Sequence, residues 1–267
     1  MNLSRVGAIV MRQLYLYRGS PQRILPMFAW VAIDILLWGF ITRYLNRVSH
    51  SGFNFVPALL GAVLLWDFLT RIMQGVTMAF FEDVWSRNFL NFFATPLRTS
   101  EYLSGLVIIG ITTSLLGLAA MLALAWAAFG LSFLTFGAAL VPCVLVLFLS
   151  GIALGIFGAG IVLRLGPASE WLIWPIPSIV SPFVGVFYPI AVLPGWMQAI
   201  AKALPPSYVF ETMRLIVAGK PVAWDHIAIG GALSVGYLVL ACAFFASVYR
   251  YAIRTGLIAR YSAESVA

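Results

Sequence analysis

Charge is what this chain has least of. Only 9% of its 267 residues are Asp, Glu, Lys or Arg, where soluble domains carry about 25%. Together with 62% hydrophobic residues and a mean hydropathy of +0.99, this excludes a water-soluble globule and indicates a polytopic membrane protein. Histidine is nearly absent: His50 and His226 lie far apart and outside any metal-ligand spacing. Cys143 and Cys242 both fall inside apolar runs without a ligand-spaced neighbour, so they read as small buried residues. HExxH and GxSxG are missing, and nothing marks a nucleophile and base together. The phosphate loop GxxxxGK[ST] is missing too. Gly219-Lys220-Pro221 lacks its spacing and its Ser/Thr, so the chain shows no such means of binding ATP. The net charge of +7 does not imply nucleic acid, because the arginines stand mostly between apolar spans, where they act as topology signals. No repeat, low-complexity tract or separate soluble domain is visible. The N-terminus lacks a cleavable signal, since Arg12 interrupts its short apolar run.

Six apolar segments are present, near 24–42, 56–81, 103–129, 135–163, 170–193 and 227–249. Each approaches or exceeds the ~20 residues that a helix needs to cross the hydrocarbon core. Backbone amides find no water in lipid, so these segments must be helices, and no strand-like alternation suggests a barrel. The expectation is an all-α membrane protein with six transmembrane helices in a single domain over 1–267. Residues 3–18 predict an amphipathic interface helix, with Leu3, Val6, Val10, Leu14 and Tyr17 on one side and Arg5 and Arg12 on another. A plain positive-inside flank is the alternative. Ten Arg fall on the side of both termini and five Arg or Lys on the other, which places both termini in the cytoplasm.

Charges inside spans are costly and face the bundle interior or a wet cavity. Asp34 lies within the first span; Asp67 and Arg71, four apart on the second, share a helix face and can pair. They either line a translocation path or fix packing. The fifth segment carries Pro175, Pro177 and Pro182 beside Ser178 and Ser181. A broken helix of this kind frees backbone carbonyls, which suits a path-lining element, with a kinked structural helix as the other reading. Phe187 and its aromatic neighbours suit either a path wall or the membrane interface. Gly151 and Gly155 form a GxxxG that marks close helix packing more often than a dimer seam.

Two loops stand out. Residues 82–102 mix Glu82, Asp83, Arg87, Arg98 and Glu101 with aromatics. A short helix is expected from Asp83 or Ser86 to about Ala94, ended by Pro96. It is a membrane-surface helix or a docking helix for a cytoplasmic partner. Residues 187–214, FYPIAVLPGWMQAIAKALPPSYVFETMR, are too broken to span and too apolar for a solvated loop. Pro194, Pro205 and Pro206 divide them, predicting short helices over Trp196–Ala203 and Ser207–Val217.

Phe187-Tyr188-Pro189, Leu193-Pro194-Gly195-Trp196 and Leu204-Pro205-Pro206-Ser207-Tyr208-Val209-Phe210-Glu211 with Arg214 closely resemble the late segment of ABC-2 type transporter permeases. Ala94-Thr95-Pro96-Leu97-Arg98-Thr99-Ser100-Glu101 with Gly105 is similar to that family's element after the second span, although Leu106 follows where many relatives have Lys. The resemblance covers essentially the whole chain. It implies the membrane subunit of an ABC exporter in a bacterial inner (plasma) membrane. The chain itself would bind no cofactor; ATP and Mg would be held by a separate nucleotide-binding ATPase. It further implies a homodimer, or a pair with a related permease, moving an amphiphile such as a drug, lipid or lipid-linked glycan. Under the same resemblance Glu82, Asp83, Arg87, Pro96, Arg98 and Glu101 belong to the ATPase-coupling region. The path would take Asp67, Arg71, Ser178, Ser181 and Phe187. A partly re-entrant outer gate over 194–217 would use Pro194, Trp196, Pro205, Pro206, Tyr208, Glu211 and Arg214. The rival readings are a lipid-modifying membrane enzyme centred on Asp67, Glu211 or His226, and an ATP-independent channel or scaffold subunit.

Overall fold

The computed structural model describes residues 2–19, 21–48, 56–85, 95 and 97–256, and these are helical with short connections. The helices are α1 (Leu3–Arg18), α2 (Pro21–Val48), α3 (Gly61–Trp85), α4 (Thr99–Phe129), α5 (Leu140–Leu165), α6 (Ile176–Val184), α7 (Gly195–Ala203), α8 (Pro205–Val217) and α9 (Trp224–Arg254). A π-helical turn, Val56–Leu60, runs directly into α3. Among the described residues four helical runs are long and apolar enough to cross a membrane: Val56–Asp83, Thr99–Phe129, Phe136–Leu165 and Trp224–Arg254.

The core forms where α5 packs along both α9 and α3, and α3 along α4. Phe68, Phe80, Phe81, Phe210 and Phe245 are fully buried there. Glycine allows the close approach. A Cβ at Gly151 would meet Ile72 Cβ and Leu69 O at 2.8 Å, and one at Gly155 would meet Val76 Cβ at 2.8 Å. The GxxxG face is therefore spent inside the chain, against α3. Outward faces stay apolar, with Leu116 and Trp126 on α4 and Val239 and Leu240 on α9 exposed. A lipid-facing bundle carries such residues without the penalty that water would impose.

Residues 170–193, expected as one membrane span, are not one helix. They hold the end of a 3-10 turn (Pro167–Leu172), nine-residue α6 and a second 3-10 turn (Ile190–Val192). The prolines remove amide donors, and Gly185 stops α6 with φ +67°, a conformation that glycine adopts without strain. At 1.5 Å per residue α6 is only about 13 Å long, under half the hydrocarbon thickness. The segment 24–42 lies within continuous α2, which is not one of the four runs. Two other boundaries shift. Glu82 and Asp83 belong to α3 and residues 99–102 to α4, so the linker between them is shorter than 82–102. The short helix expected up to Ala94, with Arg87 and Pro96, lies outside the described residues.

Side-chain contacts define two ends of the bundle. At one, α1 lies against α4, and the Arg164 guanidinium sits 5.2 Å from the Tyr251 ring where α5 and α9 finish. At the other, Arg43 of α2 donates to Ala128 O at 2.8 Å, and Tyr208 of α8 meets His226 near the start of α9. There α4 ends in Gly130 at φ +68°, whose amide donates back to Trp126 O at 2.9 Å.

Candidate functional site

Three polar clusters interrupt this apolar fabric. The first ties α1 to α3 and α4. The buried face of α1 is Val6, Ile9 and Gln13, at i, i+3 and i+7, while Leu3, Leu14 and Tyr15 are exposed. Of the expected apolar stripe Val6 is buried, Val10 is half-buried and Leu3 and Leu14 are exposed, while Arg12 turns toward Asp83. Ile9 packs so near Gly105 that a Cβ there would meet Ile9 Cγ2 at 2.6 Å. Gln13 Nε2 donates to Ala79 O at 3.3 Å.

Arg12 forms an ion pair with Asp83, whose carboxylate is fully buried. Tyr102 donates its hydroxyl to Asp83 Oδ2 at 2.7 Å. One carboxylate on α3 thus joins a cation on α1 to a phenol on α4. Beside it Glu101, with 2% of its side chain exposed, receives the Asn2 amide at 2.7 Å and the Arg98 amide at 3.1 Å. Arg5 approaches it at 3.5 Å. The Arg98 contact caps the first turn of α4, since a Glu at the third helical position accepts from an otherwise orphaned amide. The carboxylates of Asp83 and Glu101 are thus buried, and they lock α1 onto the ends of α3 and α4. Arg98 and Asn2 are the exposed members of the group.

The second cluster lies within the bundle. Arg71 Nε donates to Asp67 Oδ2 at 2.8 Å along α3, with 12% and 20% of the two side chains exposed. Asp34 of α2 is within the electrostatic reach of both. One helical turn beyond Asp34, Trp38 stacks on Phe187, rings 5.0 Å apart and 11° from parallel. Phe187 is thus brought onto α2. Ser178 is exposed on α6 and Ser181 half-buried, and neither is joined to the Asp67–Arg71 pair by a hydrogen bond among the described residues.

The third cluster fastens the broken segment. Arg214 Nη1 donates to Gly185 O at 2.7 Å, and its Nη2 to Glu211 Oε1 at 2.9 Å. The same Glu211 oxygen receives the Ile190 amide at 2.7 Å. An ion pair one turn apart on α8 thereby clamps both sides of the 185–190 turn. Tyr188 donates to Pro182 O at 2.8 Å, tying the turn back to α6, and Tyr208 donates to Lys202 O at 2.9 Å, tying α8 to α7. Gln198 Nε2 donates to Leu193 O at 2.8 Å, across the Pro194 corner. Trp196 is exposed and meets Phe183 edge-on at 6.1 Å. Pro205 and Pro206 open α8, where their missing amides cost no helical hydrogen bond.

Sequence reasoning found the two ion pairs local to one helix, because i,i+3 and i,i+4 neighbours are visible in the chain. It missed Arg12, Asn2, Gln13 and Tyr102 as partners of distant residues. The available signal was polar Gln13 seven residues after Val6, on the face that a helix would bury. No group of three or more His, Cys, Asp or Glu among the described residues could hold a metal. A search of curated proteins finds no match. The family model for ABC-2 type transporters matches residues 4–217, which takes in all three clusters apart from Asn2.

Proposed function

The chain belongs to the ABC-2 type transporter family, and from that premise we propose that it is the membrane subunit of an ATP-driven exporter. The family match over residues 4–217 carries the proposal. A separate ABC ATPase chain binds ATP with Mg and hydrolyses the ATP, in keeping with a sequence without a phosphate loop. The cargo is an amphiphile, such as a drug, a lipid or a lipid-linked glycan, moved out of the cytoplasm or inner leaflet.

In this reading the chain crosses a bacterial inner membrane six times, the four long apolar helices being joined by α2 and the broken segment 167–193. The crossings are supported by contacts at the two bundle ends: α5 finishes at one and α9 begins at the other, so the intervening chain traverses the bundle. Both termini are cytoplasmic, and two copies pair.

The α1–α3–α4 junction is where force enters. A push on the segment between α3 and α4 reaches Asp83 and Glu101 directly, and through them α1. Glu82, Arg87, Pro96 and Arg98 belong to the surface that meets the ATPase. Asp67, Arg71, Ser178, Ser181 and Phe187 flank the path. Pro194, Trp196, Pro205, Pro206 and Tyr208 shape the outer gate, with Glu211 and Arg214 as its clamp. Arg98→Glu tests the coupling surface: the chain is expected to stay in the membrane while ATP-dependent transport falls. Unchanged transport by that variant, and by a chain with residues 85–101 scrambled, would overturn this assignment.

A further inference from the structure

One cavity belongs to none of the three clusters. About 390 Å³ opens between α5, α6, the start of α8 and α9. Ala153, Phe157, Val180, Pro206, Leu240 and Phe244 are among its wall residues. Ser150 also lines it, but its hydroxyl already donates to Val146 O at 2.8 Å and lies 3.0 Å from Ser234 Oγ. Ser234 in turn donates to Gly230 O at 2.8 Å. The serine polarity is thus turned back into the helices, leaving Tyr237, partly exposed, as the other wall residue with a hydroxyl.

Such a space does not suit water, which needs two to four polar partners. Aliphatic cavities of about 150 Å³ already stay dry and take up small apolar molecules, and this one is larger. Its rim identifies the occupant. Leu240 and Phe157 are wall residues and are also 65% and 40% exposed on the outer face. The mouth therefore continues into the apolar stripe of α9, where Val235 and Val239 are exposed. On a membrane-spanning helix that stripe meets lipid hydrocarbon. Because α5 and α9 pack along their length, a slender flexible rod fits between them and α6 better than another helix does.

We propose that this cavity binds an acyl chain of a membrane phospholipid. The chain bridges the α5–α9 pair to Val180 of α6 and to the Leu204–Pro206 corner, so the bound lipid braces the proline-broken segment. The inference goes beyond the transport reading and needs only that the bundle sits in a bilayer.

The test uses the full chain in nanodiscs of phosphatidylethanolamine with a diazirine in the acyl chain, without ATP or ATPase, so a failure of the transport reading leaves it untouched. After illumination, adducts are expected to concentrate on residues 153–157 and 237–244, severalfold above the exposed Leu116 and Trp126 of α4. Labelling there is expected to saturate as the reactive lipid fraction rises. Ala153→Phe or Ala241→Phe, which fills the space, is expected to remove the excess. Should both variants misfold, saturation on the unaltered chain decides. Uniform, non-saturating labelling would mean annular contact only and would overturn the proposal. So would cross-links from these residues to a second copy in place of lipid.

Discussion

Asp83 shows how much of this molecule rests on single side chains. Its carboxylate is fully buried and carries two partners from two other helices. Removing one partner of a buried ion pair leaves an uncompensated charge and costs about 3–5 kcal/mol. Arg12→Ala is therefore expected to lower the thermal unfolding temperature in detergent strongly, and Arg12→Ala with Asp83→Asn to recover part of the loss. An additive double variant would show that the two do not interact. At the other end, Arg214→Ala removes the donors to Gly185 O and Glu211, an expected loss of about 1.5–3 kcal/mol for hydrogen bonds to a charged group. Faster proteolysis between 185 and 194 would report it. The residue scale was also where the sequence was least legible. Arg12 and Asp83 are 71 positions apart, and no local periodicity joins them. Glu211 and Arg214 were legible because one helical turn makes them neighbours.

Among the elements, legibility followed backbone chemistry. Prolines mark where α7 and α8 begin, because a missing amide is harmless only at a helix start. The same chemistry broke 170–193, where apolar composition alone suggested one span: hydropathy reports what lipid tolerates, not whether a helix continues. Likewise Glu82, Asp83 and Glu101 read as loop charges, yet they are helical, since burial against α1 satisfies two of those carboxylates. Packing of α3 on α5 depends on small residues. Gly155→Val would drive its side chain into Val76 Cβ and Met73 O, which would lie 2.8 and 2.9 Å from a Cβ at this position; overpacking of this kind costs about 1–3 kcal/mol. Gly236→Ala, with nothing within 4 Å, is expected to be neutral or to stabilise by up to about 1 kcal/mol through helix propensity. Comparing the unfolding temperatures of the two variants separates packing from helix propensity. Equal losses would contradict the glycine-mediated contact.

For the whole molecule, the all-helical membrane class was open to view in composition, because a chain with 9% charge has too little polar surface for water. The family was legible in two proline-bearing motifs, and residues 4–217 match it. The energy source is the central claim: this chain forms a membrane path, and a different chain hydrolyses ATP for it. The direct measurement is purification of the tagged chain from its native membrane, identification of its stoichiometric partners by mass spectrometry, and assay of the complex for ATP hydrolysis. The account predicts a partner carrying GxxxxGK[ST], hydrolysis by the complex, and loss of hydrolysis when the Lys of that motif is changed. A chain that purifies without such a partner, and catalyses or conducts by itself without ATP, would contradict it.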